Sequence, residues 1–122
     1  MSSRRWVMQL PQGSRVQIMA PIIRERKGEY RKLFAELMRK GYSRVRADGT
    51  VYDLSEEEPE LEKNKKHSIE AVVDRLIVKP DIRTRLADSL EAALHLADGL
   101  ALAVCPEEEK LFSQNYACTE CG

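Results

Sequence analysis

The 122-residue sequence predicts an α+β fold: a mixed, largely antiparallel sheet of about six strands with two main helices, in the order β-α-β-β-β-α-β-β. Three observations carry that prediction. Six β-type runs outnumber two helical periodicities. The connections between runs are mostly short turns that suit hairpins, not the long crossovers parallel strands require. A long Ile/Val-rich run from Ile69 to Val78, with no Gly or Pro before Pro80, supplies a central strand. Both faces of that run are mostly apolar, as expected for a strand covered on each side. Asp74 and Arg75 break the pattern side by side. Charge there points either to an internal ion pair or to a surface kept for a partner.

The other elements follow in chain order. Residues 1–14 read as a short lead-in ending at the turn Pro11-Gln12-Gly13-Ser14. Residues 15–20 alternate Val16, Ile18 and Ala20 against Arg15, Gln17 and Met19, a strand stopped by Pro21 or extended past it by Ile22 and Ile23. The basic stretch 24–28 reads as a loop. Tyr30, Leu33, Phe34, Leu37 and Met38 place one apolar stripe on a helix over 29–40, with Gly41 at its C-terminal stop. Asp48-Gly49 between residues 42–47 and 50–54 is a two-residue hairpin turn. Residues 55–62 form an acidic solvated loop. A second helix opens at Pro80 and Asp81, buries Ile82, Leu86, Leu90, Ala93, Leu94 and Ala97, and stops at Asp98-Gly99. Residues 100–104 and 110–113 close the chain as a hairpin across Pro106-Glu107-Glu108-Glu109.

Composition limits the function classes. Hydrophobic residues at 43% and charged residues at 33% describe one soluble, highly charged domain. No apolar run approaches the ~20 residues of a membrane span. No secretory leader is visible, so a cytoplasmic location is expected. The net charge is zero but uneven: residues 1–46 carry twelve Lys/Arg against three Glu, and residues 47–122 carry eight Lys/Arg against seventeen Asp/Glu. That asymmetry suits either a surface for an acidic partner or a basic half packed beside an acidic one.

Catalytic constellations are missing from the sequence. There is no phosphate-binding Gly-Lys loop, and no Ser/His/Asp or Cys/His set can be drawn. His67 and His95 read as surface or satisfied histidines. Cys118-Thr119-Glu120-Cys121 is half of a tetrahedral zinc site, which needs two further ligands. Cys105 lies in a strand-like run and reads as a small buried hydrophobe. A redox Cys-x-x-Cys would want a helix start to stabilise its thiolate, and the sequence offers none. No enzyme, small-molecule substrate or resident cofactor is expected in this chain.

Several segments together resemble one family. They include Ile18-Met19-Ala20-Pro21-Ile22-Ile23, Arg26-Lys27-Gly28-Glu29, the run from Gly41 to Gly49 and Lys63-Asn64-Lys65-Lys66-His67-Ser68-Ile69-Glu70. Val73-Asp74-Arg75, Arg85-Leu86-Ala87-Asp88-Ser89-Leu90-Glu91 and Phe112-Ser113-Gln114-Asn115-Tyr116-Ala117-Cys118 continue it. The chain resembles the UvrA family, damage-recognition ATPases of bacterial nucleotide excision repair, from about Met8 onward. Residues 1–7 depart from it, as divergent or added sequence.

The resemblance implies an inserted segment of the first ATPase half, with ATP bound elsewhere in the longer protein. Residues 15–114 correspond to the domain that binds UvrB, and residues 115–122 to the start of a zinc module that takes two cysteines here and two beyond Gly122. It also implies docking through strand-borne arginines, at positions matching Arg44 and Arg75. Arg46, Lys65 and Lys66 are secondary candidates. DNA is contacted through the longer protein. The alternative is a direct DNA-binding module that uses the basic first half and Lys63 to Lys66.

Overall fold

Two long strands, β1 (Arg15–Lys27) and β4 (Lys66–Ile77), form the middle of the sheet. The structure, a computed structural model, describes residues 7–113. The remaining elements are α1 (Arg31–Arg39), β2 (Arg44–Ala47), β3 (Thr50–Asp53), α2 (Arg83–Leu96), β5 (Leu100–Val104) and β6 (Glu109–Ser113). This is the predicted β-α-β-β-β-α-β-β order. The six strands lie in the order β3-β2-β4-β1-β5-β6, with antiparallel registers for β1–β5, β2–β3, β2–β4 and β5–β6. The short strands β3 and β6 form the two edges. The chain divides into two compact units, Pro21–Val72 and a second made of Met1–Ala20 with Val73–Gly122. Both long strands contribute residues to each unit.

In the Pro21–Val72 unit, β2 and β3 pair from Ala47↔Thr50 to Arg44↔Asp53 across the Asp48-Gly49 turn. Both turn residues take the left-handed conformation such a tight hairpin requires, with φ of 50° and 86°. Val45 stands opposite Ala71 and Ala47 opposite Ile69, and all four are buried. Phe34 and Leu37 of α1 are buried with them. Met38, the last residue of the predicted stripe, is 40% exposed.

The first helix is shorter than the 29–40 the periodicity suggested. Gly28 has φ +150° and Tyr30 has φ +60°, conformations no right-handed helix contains. The Tyr30 hydroxyl donates to the Lys27 carbonyl, closing a tight loop ahead of the helix. The C-terminal stop is as predicted. Gly41 adopts φ +97°, its N–H donates to Met38, and the Tyr42 N–H donates to Leu37, a Schellman closure.

The first strand takes the extension past Pro21 and corrects the loop expected over 24–28. It runs through the proline to Lys27. Proline holds an extended φ and lacks only a donor, so it interrupts a ladder without ending a strand. Glu25 is the irregular point: its φ is +51° and its N–H donates to the Ser68 hydroxyl of β4. The composition Arg-Glu-Arg-Lys read as loop.

In the second unit, the Gly13 N–H donates to the Val78 carbonyl and the Val78 N–H donates to Ser14, tying the lead-in beside β4. Pro80 and Asp81 make a turn, and α2 begins later, at Arg83. Its buried side is Leu86, Ser89, Leu90 and Ala93. Asp98 at φ 54° ends it, with the Gly99 N–H donating to Leu94. Val16, Ile18, Ala101 and Ala103 complete the buried layer. Cys105 departs from the buried-strand expectation. It is half-buried in the turn after β5, where its N–H donates to the Glu108 carbonyl. Burial first, then the nearby Glu108 and Glu107, pushes its thiol pKa up, which disfavours a reactive thiolate.

Candidate protein-docking site

Arginine on a β-strand is held by its neighbours or offered outward, and Arg44, Arg46 and Arg75 differ in this respect. In the Pro21–Val72 unit, Arg46 stands opposite Glu70 in the β2–β4 register, and its Nε lies 2.6 Å from the Glu70 carboxylate. The side chains are 17% and 10% exposed, so this ion pair is largely out of water. Arg44, two residues along the same face, is half-buried and faces Asp53 across the hairpin. The Asp53 carboxylate is taken by the Ser55 hydroxyl at 2.6 Å and the Ser55 N–H at 3.0 Å. Those bonds, more than the Arg44 charge, hold its pKa below the ordinary value against opposing burial. Among the described residues, no carboxylate lies within ion-pair distance of Arg44.

Lys65 and Lys66 are exposed in the same unit, where Lys65 meets Glu62 at 3.2 Å. Arg75 lies in the second unit and is exposed, again with no carboxylate partner among the described residues. The internal ion pair that the sequence suggested beside it belongs to Asp74. Arg85 of α2 grips the Asp74 carboxylate with two bonds, of 3.0 and 2.8 Å, and the Ser89 hydroxyl adds a third at 2.7 Å. The Arg85 bonds dominate in holding the Asp74 pKa below its ordinary value, with burial opposing. The sequence flagged the carboxylate, but nothing in it identified a partner eleven residues away on a helix.

A second cluster was not foreseen. His67 is buried, with Nδ1 2.6 Å from the Asp48 carboxylate and Nε2 2.7 Å from the Glu62 carbonyl. Both neighbours accept, so the doubly protonated ring satisfies both and its pKa is raised from 6.5, chiefly by Asp48. The other Asp48 oxygen accepts from the Ser68 N–H, and the Asp48 N–H donates to Ser68. Burial works against Asp48 ionisation, but the His67 and Ser68 bonds outweigh it and lower its pKa from 3.8. The hairpin turn is thereby clamped to the start of β4.

The clamp predicts a pH dependence. A raised histidine stabilises the fold fully below the unfolded value near 6.5 and stops doing so as pH rises through the folded value. Lowered Asp48 stabilises above about 3.8 and stops as pH falls through its folded value. Urea unfolding is therefore expected to show stability declining as pH rises above 6.5, and His67→Gln is expected to flatten that decline. An unchanged slope in the variant would show that His67 is not its source.

Among the described residues, no group of three His, Cys, Asp or Glu could hold a metal ion. Cys118 and Cys121 lie outside the described residues. No described helix is long and apolar enough to cross a membrane.

The sequence was compared with known proteins. The family model for the UvrA interaction domain matches residues 4–107. The chain belongs to the UvrA interaction domain family. The match reaches back to Arg4, ahead of the Met8 start that the resemblance suggested. UvrABC system protein A of Clostridium tetani is 52% identical over 117 residues, which cover 95% of this chain and 12% of that protein. The same protein of Listeria monocytogenes serovar 1/2a is 50% identical, and that of Streptococcus pneumoniae 48%, with the same coverage. This UvrA interaction domain thus spans about an eighth of the length of the relatives it matches.

Proposed function

We propose that this chain is the part of a bacterial UvrA that docks UvrB and so helps load it at DNA lesions in nucleotide excision repair, in the cytoplasm. ATP is bound and hydrolysed elsewhere in the longer protein, and DNA is contacted there. Residues 15–114 form the docking domain, and Cys118 and Cys121 begin a zinc module completed by ligands outside this chain.

One observation carries the reading. Arg44 and Arg75 are strand-borne cations with no carboxylate partner among the described residues, while the neighbouring acids Asp53 and Asp74 are already engaged. Two unneutralised guanidinium groups suit acidic groups on a protein partner, which they steer and orient. Arg46, paired with Glu70, braces the strand that carries Arg44, and Lys65 and Lys66 add charge at the rim.

Direct DNA binding is the second reading. Its support was the basic first half, but the Pro21–Val72 unit contains twelve Lys/Arg and eleven Asp/Glu, because the acidic loop folds within it. A nearly neutral unit gives little of the counterion release that drives phosphate binding. Titrating the chain with UvrB and with duplex DNA separates the readings. Arg44→Ala combined with Arg75→Ala is expected to cut UvrB affinity by at least about a hundredfold, since even one lost charge pair costs roughly 2–5 kcal/mol, and to leave weak DNA binding unchanged. Undiminished UvrB affinity in that variant would reject both arginines.

A further inference from the structure

His67 joins two segments of the Pro21–Val72 unit that bear on Arg44. One is the hairpin turn, through Asp48; the other is the acidic loop between β3 and β4, through the Glu62 carbonyl. The loop leaves the sheet at Asp53, the register partner of Arg44, and carries Glu56, Glu57, Glu58, Glu60 and Glu62. Its first turn is closed by the Glu56 and Glu57 N–H groups, which donate to the Asp53 carbonyl. Pro59 is buried midway, and the Glu62 carbonyl at the far end accepts from His67 Nε2 at 2.7 Å and from the Lys65 N–H. With the loop so held, none of its carboxylates lies within ion-pair distance of Arg44.

Loss of the His67 proton undoes the far anchor. A neutral imidazole keeps one N–H. Asp48, 2.6 Å away, is the charged acceptor and retains it, since charge-assisted bonds are the stronger. Nε2 then sets a lone pair against the Glu62 carbonyl oxygen, and two acceptors in contact part. Among the described residues, the charged groups that act on the ring are Asp48 and Glu62, and both favour its proton. Lys65 is engaged by Glu62, Lys66 is exposed, and β1 reaches this end of β4 through the Glu25 N–H on Ser68.

We infer that His67 is a positioning residue for docking: doubly protonated, it holds the acidic loop away from Arg44 and leaves that guanidinium to an acidic partner. The inference rests on the UvrB reading and deepens it. Freed at Glu62, the loop offers its glutamates to Arg44 from within the same chain, at an effective concentration the partner must overcome.

The UvrB affinity of the chain is expected to weaken about fivefold or more as pH rises above 6.5, the low end of ordinary coupling between sites. Glu56→Gln with Glu58→Gln and Glu60→Gln, all at exposed positions, is expected to lose most of that dependence. Circular dichroism at each pH restricts the comparison to folded chain. By the same linkage, UvrB is expected to raise the pH at which the His67 ring titrates in the parent, read by NMR. An unmoved titration overturns the inference. If the parent binds equally across the range, or the glutamine variant weakens as much as the parent, the positioning role is overturned while UvrB docking stands. If the parent binds UvrB at no pH, the docking reading falls and this one with it.

Discussion

Replacing Glu70 with alanine lowers the unfolding free energy of the chain by about 3 kcal/mol, the expected result of removing one partner from a mostly buried ion pair. Arg46 would keep its charge beside β4 with its 2.6 Å partner gone, and its side chain is only 17% exposed. The cost comes from a mostly buried guanidinium losing its 2.6 Å charged neighbour. Arg46→Met with Glu70→Leu is therefore expected to remain within about 1 kcal/mol of the parent, since apolar replacements of similar size avoid that penalty. Urea titration followed by circular dichroism measures both. A loss below 1 kcal/mol for Glu70→Ala would mean that the Glu70 pair does not hold the strand in place.

Phe34→Ala is expected to cost about 4 kcal/mol, the range for deleting an aromatic ring from a packed core. Phe34 is 2% exposed and shares the interior of the Pro21–Val72 unit with Leu37, Val45 and Ile69. Met38 sits one turn further along the same predicted stripe but is 40% exposed, so Met38→Ala is expected to cost under about 1 kcal/mol. Similar losses at the two sites would mean that the burial contrast within α1 does not hold in solution.

Sequence periodicity made the elements legible because apolar spacing and tight turns are local signals. The α1 stripe, the Asp48-Gly49 turn and the Ile69-to-Val78 run each specify their geometry within a few residues. What escaped was set by tertiary contacts. Tyr30 breaks the helix start because its hydroxyl reaches back to Lys27. The basic run 24–27 continues β1 despite an irregular Glu25, whose N–H bonds the Ser68 hydroxyl. Charge asymmetry along the chain does not become a net charge of the Pro21–Val72 unit, since the acidic loop and basic segments share it. Arg44 and Arg75 were singled out by resemblance, and in Arg75's case also by its misfit with an apolar strand. That their nearby acids were already engaged, by Ser55, Arg85 and Ser89, no spacing could reveal.

The edges of the sheet bear on how the chain behaves when concentrated. β3 has only four residues and ends in Asp53, and β6 opens with Glu109 and Lys110. Short, charged border strands are poor templates for adding a stranger's backbone. The chain should therefore withstand storage at high concentration without forming fibrils.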